Sequence, residues 1–220
     1  MWSPKQYRAY NSIRSGFTLS QHGHQTIRFL TLSTSDIMSQ SETYGYDLKE
    51  NINDHFRSFK ARIQRVTPWQ LYKQTYITKD QLSYYYRHHD IFKPLKFEYF
   101  KVETNEGNGV LHIFYRGSYL PYNYLADNWM DIHNSWEINI QKVDLTNPKK
   151  SSAYVVNQYV AGQGSSYVRS SQSWDWVFRG YTGLMRGLRR DYPFKYRELW
   201  DNYLYNYSVG RFTVTLDDYR

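Results

Sequence analysis

The chain contains no cysteine. Disulfides and thiolate metal sites are therefore excluded, and the composition agrees with a reducing compartment. No window approaches the roughly 18 apolar residues of a transmembrane helix. The opening stretch MWSPKQYRAYNS has no apolar core of the kind a secretory signal carries. The expectation is a protein with no membrane partner, cytoplasmic in its host cell. A Gly-rich phosphate loop ending in Lys is also missing, so unwinding of a duplex has to come from elsewhere. A primase-type metal site needs an Asp-x-Asp pair on a strand, and Leu216-Asp217-Asp218 has the wrong spacing. With no linker and no low-complexity run, residues 1–220 read as one domain.

Aromatic rings and positive charge are abundant instead. There are 24 Tyr, 11 Phe and 7 Trp, and 28 Lys plus Arg against 20 Asp plus Glu give a net charge of +8. That balance favours a polyanionic partner. Aromatics interleaved with cations suit stacking on unpaired bases. Filling a core and its rim is the ordinary use of the same tyrosines.

Residues 1–25 read as polar and mixed. TIRFLTLS (26–33) is short, apolar and β-prone, and predicts a buried strand. Leu48, Ile52, Phe56, Phe59, Ile63 and Val66 make one helical stripe, with Asp47 as N-cap and Pro68 as stop. Residues 78–94 predict irregular or briefly helical chain. KFEYFKVET (96–104) and VLHIFYRG (110–117) are strands joined by the turn cluster NEGNG. A short helix over 122–135, a strand over 136–145 and a short helix over 153–164 follow. Residues 171–190 and 192–207 read as helical or mixed, and 210–220 as a strand. The order β-α-β-β-α-β, then α, predicts an α+β fold. Its centre is an antiparallel sheet of split βαβ, ferredoxin-like or RRM-like type, with helices on one or both faces and 110–117 as the central strand.

Few residues can carry chemistry. His22 and His24, and the adjacent His88 and His89, read as solvated histidines; neighbours on an extended segment point opposite ways. His112 differs, because it interrupts an apolar strand. It is either a hydrogen-bonded core histidine or a metal ligand. Glu103, across the hairpin turn, could reach the same face, and such a pair suits Mg²⁺ or Mn²⁺, which retain water and borrow phosphate oxygens. YVVNQYVAGQ is a small tandem repeat that places Tyr154 four residues before Gln158 and Tyr159 four before Gln163. A tyrosine phenol can act as a covalent nucleophile. Packing is its bland alternative. On a regular helix two tyrosines five apart diverge.

Three segments, in order, resemble the HUH endonuclease superfamily, the rolling-circle replication initiators (Rep proteins) of archaeal plasmids and viruses. FLTLS (29–33) is similar to the first family motif, YFKVETNEGNGVLHIFYRG to the second and NQYVAGQ to the third. The likeness covers roughly 26–165, with 166–220 as a C-terminal extension. It implies metal-dependent nicking and joining of single-stranded DNA at a replication origin. A divalent Mn²⁺ or Mg²⁺ would be held by Glu103 and His112, and a helical tyrosine, Tyr159 or else Tyr154, would form a 5′-phosphotyrosine. Gln158 and Gln163 would orient the phenol or the phosphate. Host helicase and polymerase would be partners. Arg116, Arg169, Arg179, Arg186, Arg189 and Arg190 are candidates for the DNA backbone. Phe114 stands where the family has its second His, and His133 is the possible substitute. That departure leaves a second expectation, an inactive relative that binds single strands without cutting.

Overall fold

A computed structural model of the chain describes residues 2–34, 44–104, 109–161, 169–173, 175–178 and 181–210, the side chains of 44–50, 161 and 169 excepted. Five strands form one antiparallel sheet: β1 (Arg28–Ser33), β2 (Phe97–Thr104), β3 (Val110–Gly117), β4 (Ile138–Lys142) and β5 (Arg169–Gln172). Their order is β4-β1-β3-β2-β5, with β3 in the middle. The first four strands have the order of a split βαβ unit, and β5 adds an edge strand whose last two residues fall in the segment 171–190, expected to be helical or mixed.

Eight α-helices surround it among the described residues: α1 (Pro4–His22), α2 (Tyr44–Ile63), α3 (Pro68–Lys73), α4 (Lys79–His88), α5 (Tyr122–His133), α6 (Pro148–Val155), α7 (Tyr181–Asp191) and α8 (Tyr196–Ser208). Residues 1–25, read as polar and mixed, are mostly α1. Ser3 accepts from the Gln6 backbone while the Gln6 side chain accepts from Ser3, and Pro4 occupies the first turn. Asp47 lies inside α2 and does not cap it. Pro68 opens α3, behind a second capping box of Thr67 and Gln70. A third box, Thr78 with Gln81, starts α4 in the segment expected to be irregular or briefly helical. His22 and His88 end helices, His24 has a left-handed φ of 52°, and His89 is an extended cap. The turn at 105–108 and the expected strand over 211–220 lie outside the described residues.

The chain divides into two compact units. One, called here the α2 unit, comprises Phe29–Phe97 and Glu103–Gln141. Its core is apolar: Phe59, Ile63, Leu71, Leu111, Ile113 and Trp129 are fully buried. Phe59 meets Trp129 edge-on at 5.5 Å. Gly117 ends β3 with φ +120°, and a Cβ there would stand 2.4 Å from the Lys96 carbonyl oxygen.

The other, the α1 unit, comprises Met1–Arg28, Glu98–Val102 and Lys142–Arg220. Here α1 packs on α6 and α8. Small residues on α1 admit indoles. Trp176, fully buried, donates its Nε1–H to the Ser12 carbonyl at 3.1 Å, and Trp200 donates to Ser15 Oγ at 3.1 Å. A Cβ on Gly16 would lie 2.3 Å from the Trp176 ring, so only glycine fits.

Candidate tyrosine site and nucleic-acid interface

The β2–β3 hairpin fixes where Glu103 and His112 point. Ser118 N donates to Lys96 O at 2.9 Å, and the Phe97 and Tyr115 rings meet at 5.2 Å on one face. Side chains alternate along a strand, so Glu103 shares that face with Leu111, Ile113 and Tyr115. His112 and Phe114 take the opposite face. Their partners agree. Glu103 accepts from Asn53 Nδ2 of α2 at 2.6 Å. His112, 4 % exposed, stacks on Phe29 at 5.4 Å, and Phe114 stacks on the same ring at 4.7 Å. The expectation that Glu103 reaches the face of His112 is therefore corrected: hairpin parity puts them on opposite sides of the sheet, where they cannot share one cation.

His133 does not supply the substitute ligand. It ends α5, fully buried against the Trp129 ring at 4.3 Å. Its Nε2 lies 2.9 Å from Thr34 Oγ1 and its Nδ1 lies 2.8 Å from His55 Nδ1. Burial, and then the neighbouring His55, lower its pKa to about 4. It is a neutral imidazole in a buried polar chain. Among the described residues no group of three or more His, Cys, Asp and Glu could hold a metal ion. The residues expected to bind Mn²⁺ or Mg²⁺ do not fit that role together.

The tyrosine segment lies in the α1 unit. Asn147 caps α6, accepting from the Lys150 backbone, and Pro148 occupies its first turn. After Val155 the helix widens into a π-helical turn over Val156–Ala161. Val155, Val156 and Val160 are buried and hold the turn inward. Tyr154 is 63 % exposed on the last turn of α6. Tyr159 is half-buried within the π turn, and Gln158 is exposed. Gln163 lies outside the described residues. Bonding over five residues instead of four invalidates the regular-helix spacing expected for the tandem repeat. π turns occur often at functional sites. Asn157, two residues before Tyr159, accepts at 3.0 Å from Trp2 Nε1–H.

Two cavities flank α1 in the same unit. A groove of about 310 Å³ is lined by Lys5, Arg8, Ser12, Ser170, Ser171 and other residues, none of them a carboxylate. The lining therefore carries two cations and several hydroxyls. The second cavity, about 540 Å³, has aromatic walls that include Trp2, Tyr7, Tyr10 and Tyr196. Arg14 and Asp201, paired at 2.7 Å, also line it, with Arg197 and Lys149. Arg197 Nε–H donates to Tyr196 Oη at 3.1 Å. Burial alone would raise the Tyr196 phenol, but hydrogen bonds from Tyr7 and Arg197 and the charges of Arg197 and Arg189 outweigh it and lower the pKa.

Of the arginines expected on DNA, Arg116 is buried, whereas Arg186, Arg189 and Arg190 are exposed on α7. Arg190 is paired with Asp191 at 2.7 Å, and Arg189 lies 6.0 Å from the Tyr196 ring centre. Arg179 and the Arg169 side chain lie outside the described residues. Sequence reasoning missed Trp2, Lys5 and Arg8 because it missed α1. The signal was Ser3-Pro4-Lys5-Gln6, a capping box with proline in the first turn.

No protein-family model matches the chain, and no curated protein or solved structure does either.

Proposed function

We propose that the chain nicks and rejoins single-stranded DNA through a phosphotyrosine, in the manner of a rolling-circle replication initiator, with Tyr159 as the nucleophile. The observation that carries this reading is the π turn. Tyr159 sits at the third-motif position of the Rep resemblance, on a helix widened there and anchored on its buried side by three valines. A phenol on an anchored turn can be aimed in line at a phosphorus. The Tyr159 oxygen would form a bond to phosphorus as the bond to the 3′ oxygen breaks. The phenol proton leaves with that exchange, and the departing 3′ oxygen takes up a proton to become the free 3′-OH. The reverse step joins ends. Lys5 and Arg8 would hold backbone phosphates in the groove beside α1. A host polymerase would extend the free 3′-OH, and a host helicase would open the duplex.

Glu103 and His112 point to opposite faces, so no step is routed through a metal. That same observation favours a second reading, binding of single strands without cleavage. The deciding experiment is a labelled single-stranded oligonucleotide spanning the cognate origin, with and without Mn²⁺, on a denaturing gel. Tyr159→Phe is expected to cut the covalent adduct by orders of magnitude, and Tyr154→Phe to leave it. A wild-type protein that binds the oligonucleotide but forms no adduct under either condition establishes the binding reading. Loss of the adduct in Tyr154→Phe alone moves the nucleophile to Tyr154.

A further inference from the structure

We infer that the aromatic cavity between α1 and α8 is a subsite for one unpaired base and its phosphate, in the unit that carries the proposed nucleophile. The inference rests on the reading of the chain as a single-strand-handling protein and specifies which residues take the base. Trp2 and Tyr10 meet at 5.0 Å, and Tyr7 meets Tyr10 at 6.2 Å, so the wall is a continuous run of rings. Aromatic walls accept any base, since each has a π face.

Charge decides what accompanies the base. Asp201 is the one carboxylate among the lining residues, and Arg14 neutralises it at 2.7 Å. Lys149 and Arg197, both exposed, carry no ion pair among the described residues. Two further cations beside stacked rings call for an occupant that is flat and apolar at one end and anionic at the other, which is a nucleotide. About 540 Å³ is room for one.

Trp2 connects the cavity to the chemistry. Its ring faces the cavity while its Nε1–H is fixed to Asn157, two residues from Tyr159. A base stacked on Trp2 would therefore sit against the helical segment that carries Tyr159, and the subsite would hold the strand on that segment. The Lys5–Arg8 groove, on the same helix, would take phosphates further along.

The test is equilibrium binding of a fluorescein-labelled oligo(dT) of about 12 nucleotides, and of its abasic analogue, to the full chain in the Tyr159→Phe background. Trp2→Leu is expected to weaken oligo(dT) binding about tenfold, the worth of one stacked base, and to leave the abasic strand unchanged. Arg197→Gln combined with Lys149→Gln should weaken both strands and reduce the salt slope by about two. Arg87→Gln, exposed on α4, should change neither. Overturning results are a wild type that does not bind oligo(dT), a Trp2→Leu variant that binds it normally, or one that loses both strands equally. The adduct gel separates this inference from the proposed activity. Adducts in the wild type with base binding unaffected by Trp2→Leu reject the subsite alone. Base binding that depends on Trp2, with no adduct, rejects the nucleophile alone.

Discussion

Helices α1 and α2 are nearly equal in length, 19 and 20 residues, yet they bury different chemistry. The buried face of α2 carries large apolar groups, Ile52, Phe56, Phe59 and Ile63. The buried face of α1 mixes Ile13 and Phe17 with Ser12, Ser15, Gly16 and Ser20. In the α2 unit the helix brings the bulk. In the α1 unit the bulk comes from tryptophans elsewhere in the chain, and the helix supplies room and hydrogen-bond acceptors. The first arrangement is stabilised mainly by area removed from water. The second depends on shape, because a missing or extra atom opposite a large ring cannot be absorbed by rotation of a small residue.

Three measurements break or sharpen this contrast. Phe59→Ala, at a fully buried position against Trp129, is expected to cost about 3–5 kcal/mol, read as a shift of the denaturant midpoint. Gly16→Ala adds a single methyl and would gain helix propensity on an open surface. Against the Trp176 ring it is expected instead to destabilise by about 1–3 kcal/mol, read by thermal unfolding. A neutral or stabilising outcome would mean that the indole is not locked in place. The third measurement concerns the buried polar chain of the α2 unit. The His133 pKa falls from 6.5 in the open chain to about 4 in the fold. The unfolded state then binds the proton more tightly. This contribution is complete above about pH 6.5 and is lost as pH falls toward 4. Thr34, Trp129 and His55 surround the ring. The expected loss is about 2–3 kcal/mol between those limits, and His133→Gln should flatten that part of the stability–pH curve.

The same contrast explains what could be read from the sequence. The α2 stripe, the strands 97–104 and 110–117 and the split βαβ order followed from apolar periodicity, because bulk in those elements lies on the element itself. Helix α1 was hidden because serines and a glycine line its buried face and register as polar. Strand β5, Arg169–Gln172, was hidden for a similar reason: Ser170, Ser171 and Gln172 have no apolar alternation. At the candidate site, the type of each residue was legible but its direction was not. Glu103 and His112 are both strand residues near one turn, and which face each takes depends on a register that a turn of five residues leaves open. The cavity beside Trp2 could not be anticipated without α1.

The π turn after α6 has a consequence for tolerance to length change. A helix that closes over five residues holds one more residue in that turn than an α-helix would. Removing one residue from Val156–Ala161 would let the segment relax into a regular helix, at little thermodynamic disadvantage. Side chains beyond the turn would keep their phase, because the turn is where the extra residue is absorbed. Within the turn, Tyr159 would move toward the position that Gln158 holds. The chain here behaves as a counted interval, in which the number of residues matters more than the identity of most of them. Substitutions at exposed Gln158 should be mild, whereas a single-codon deletion beside it should turn Tyr159 away from whatever it serves.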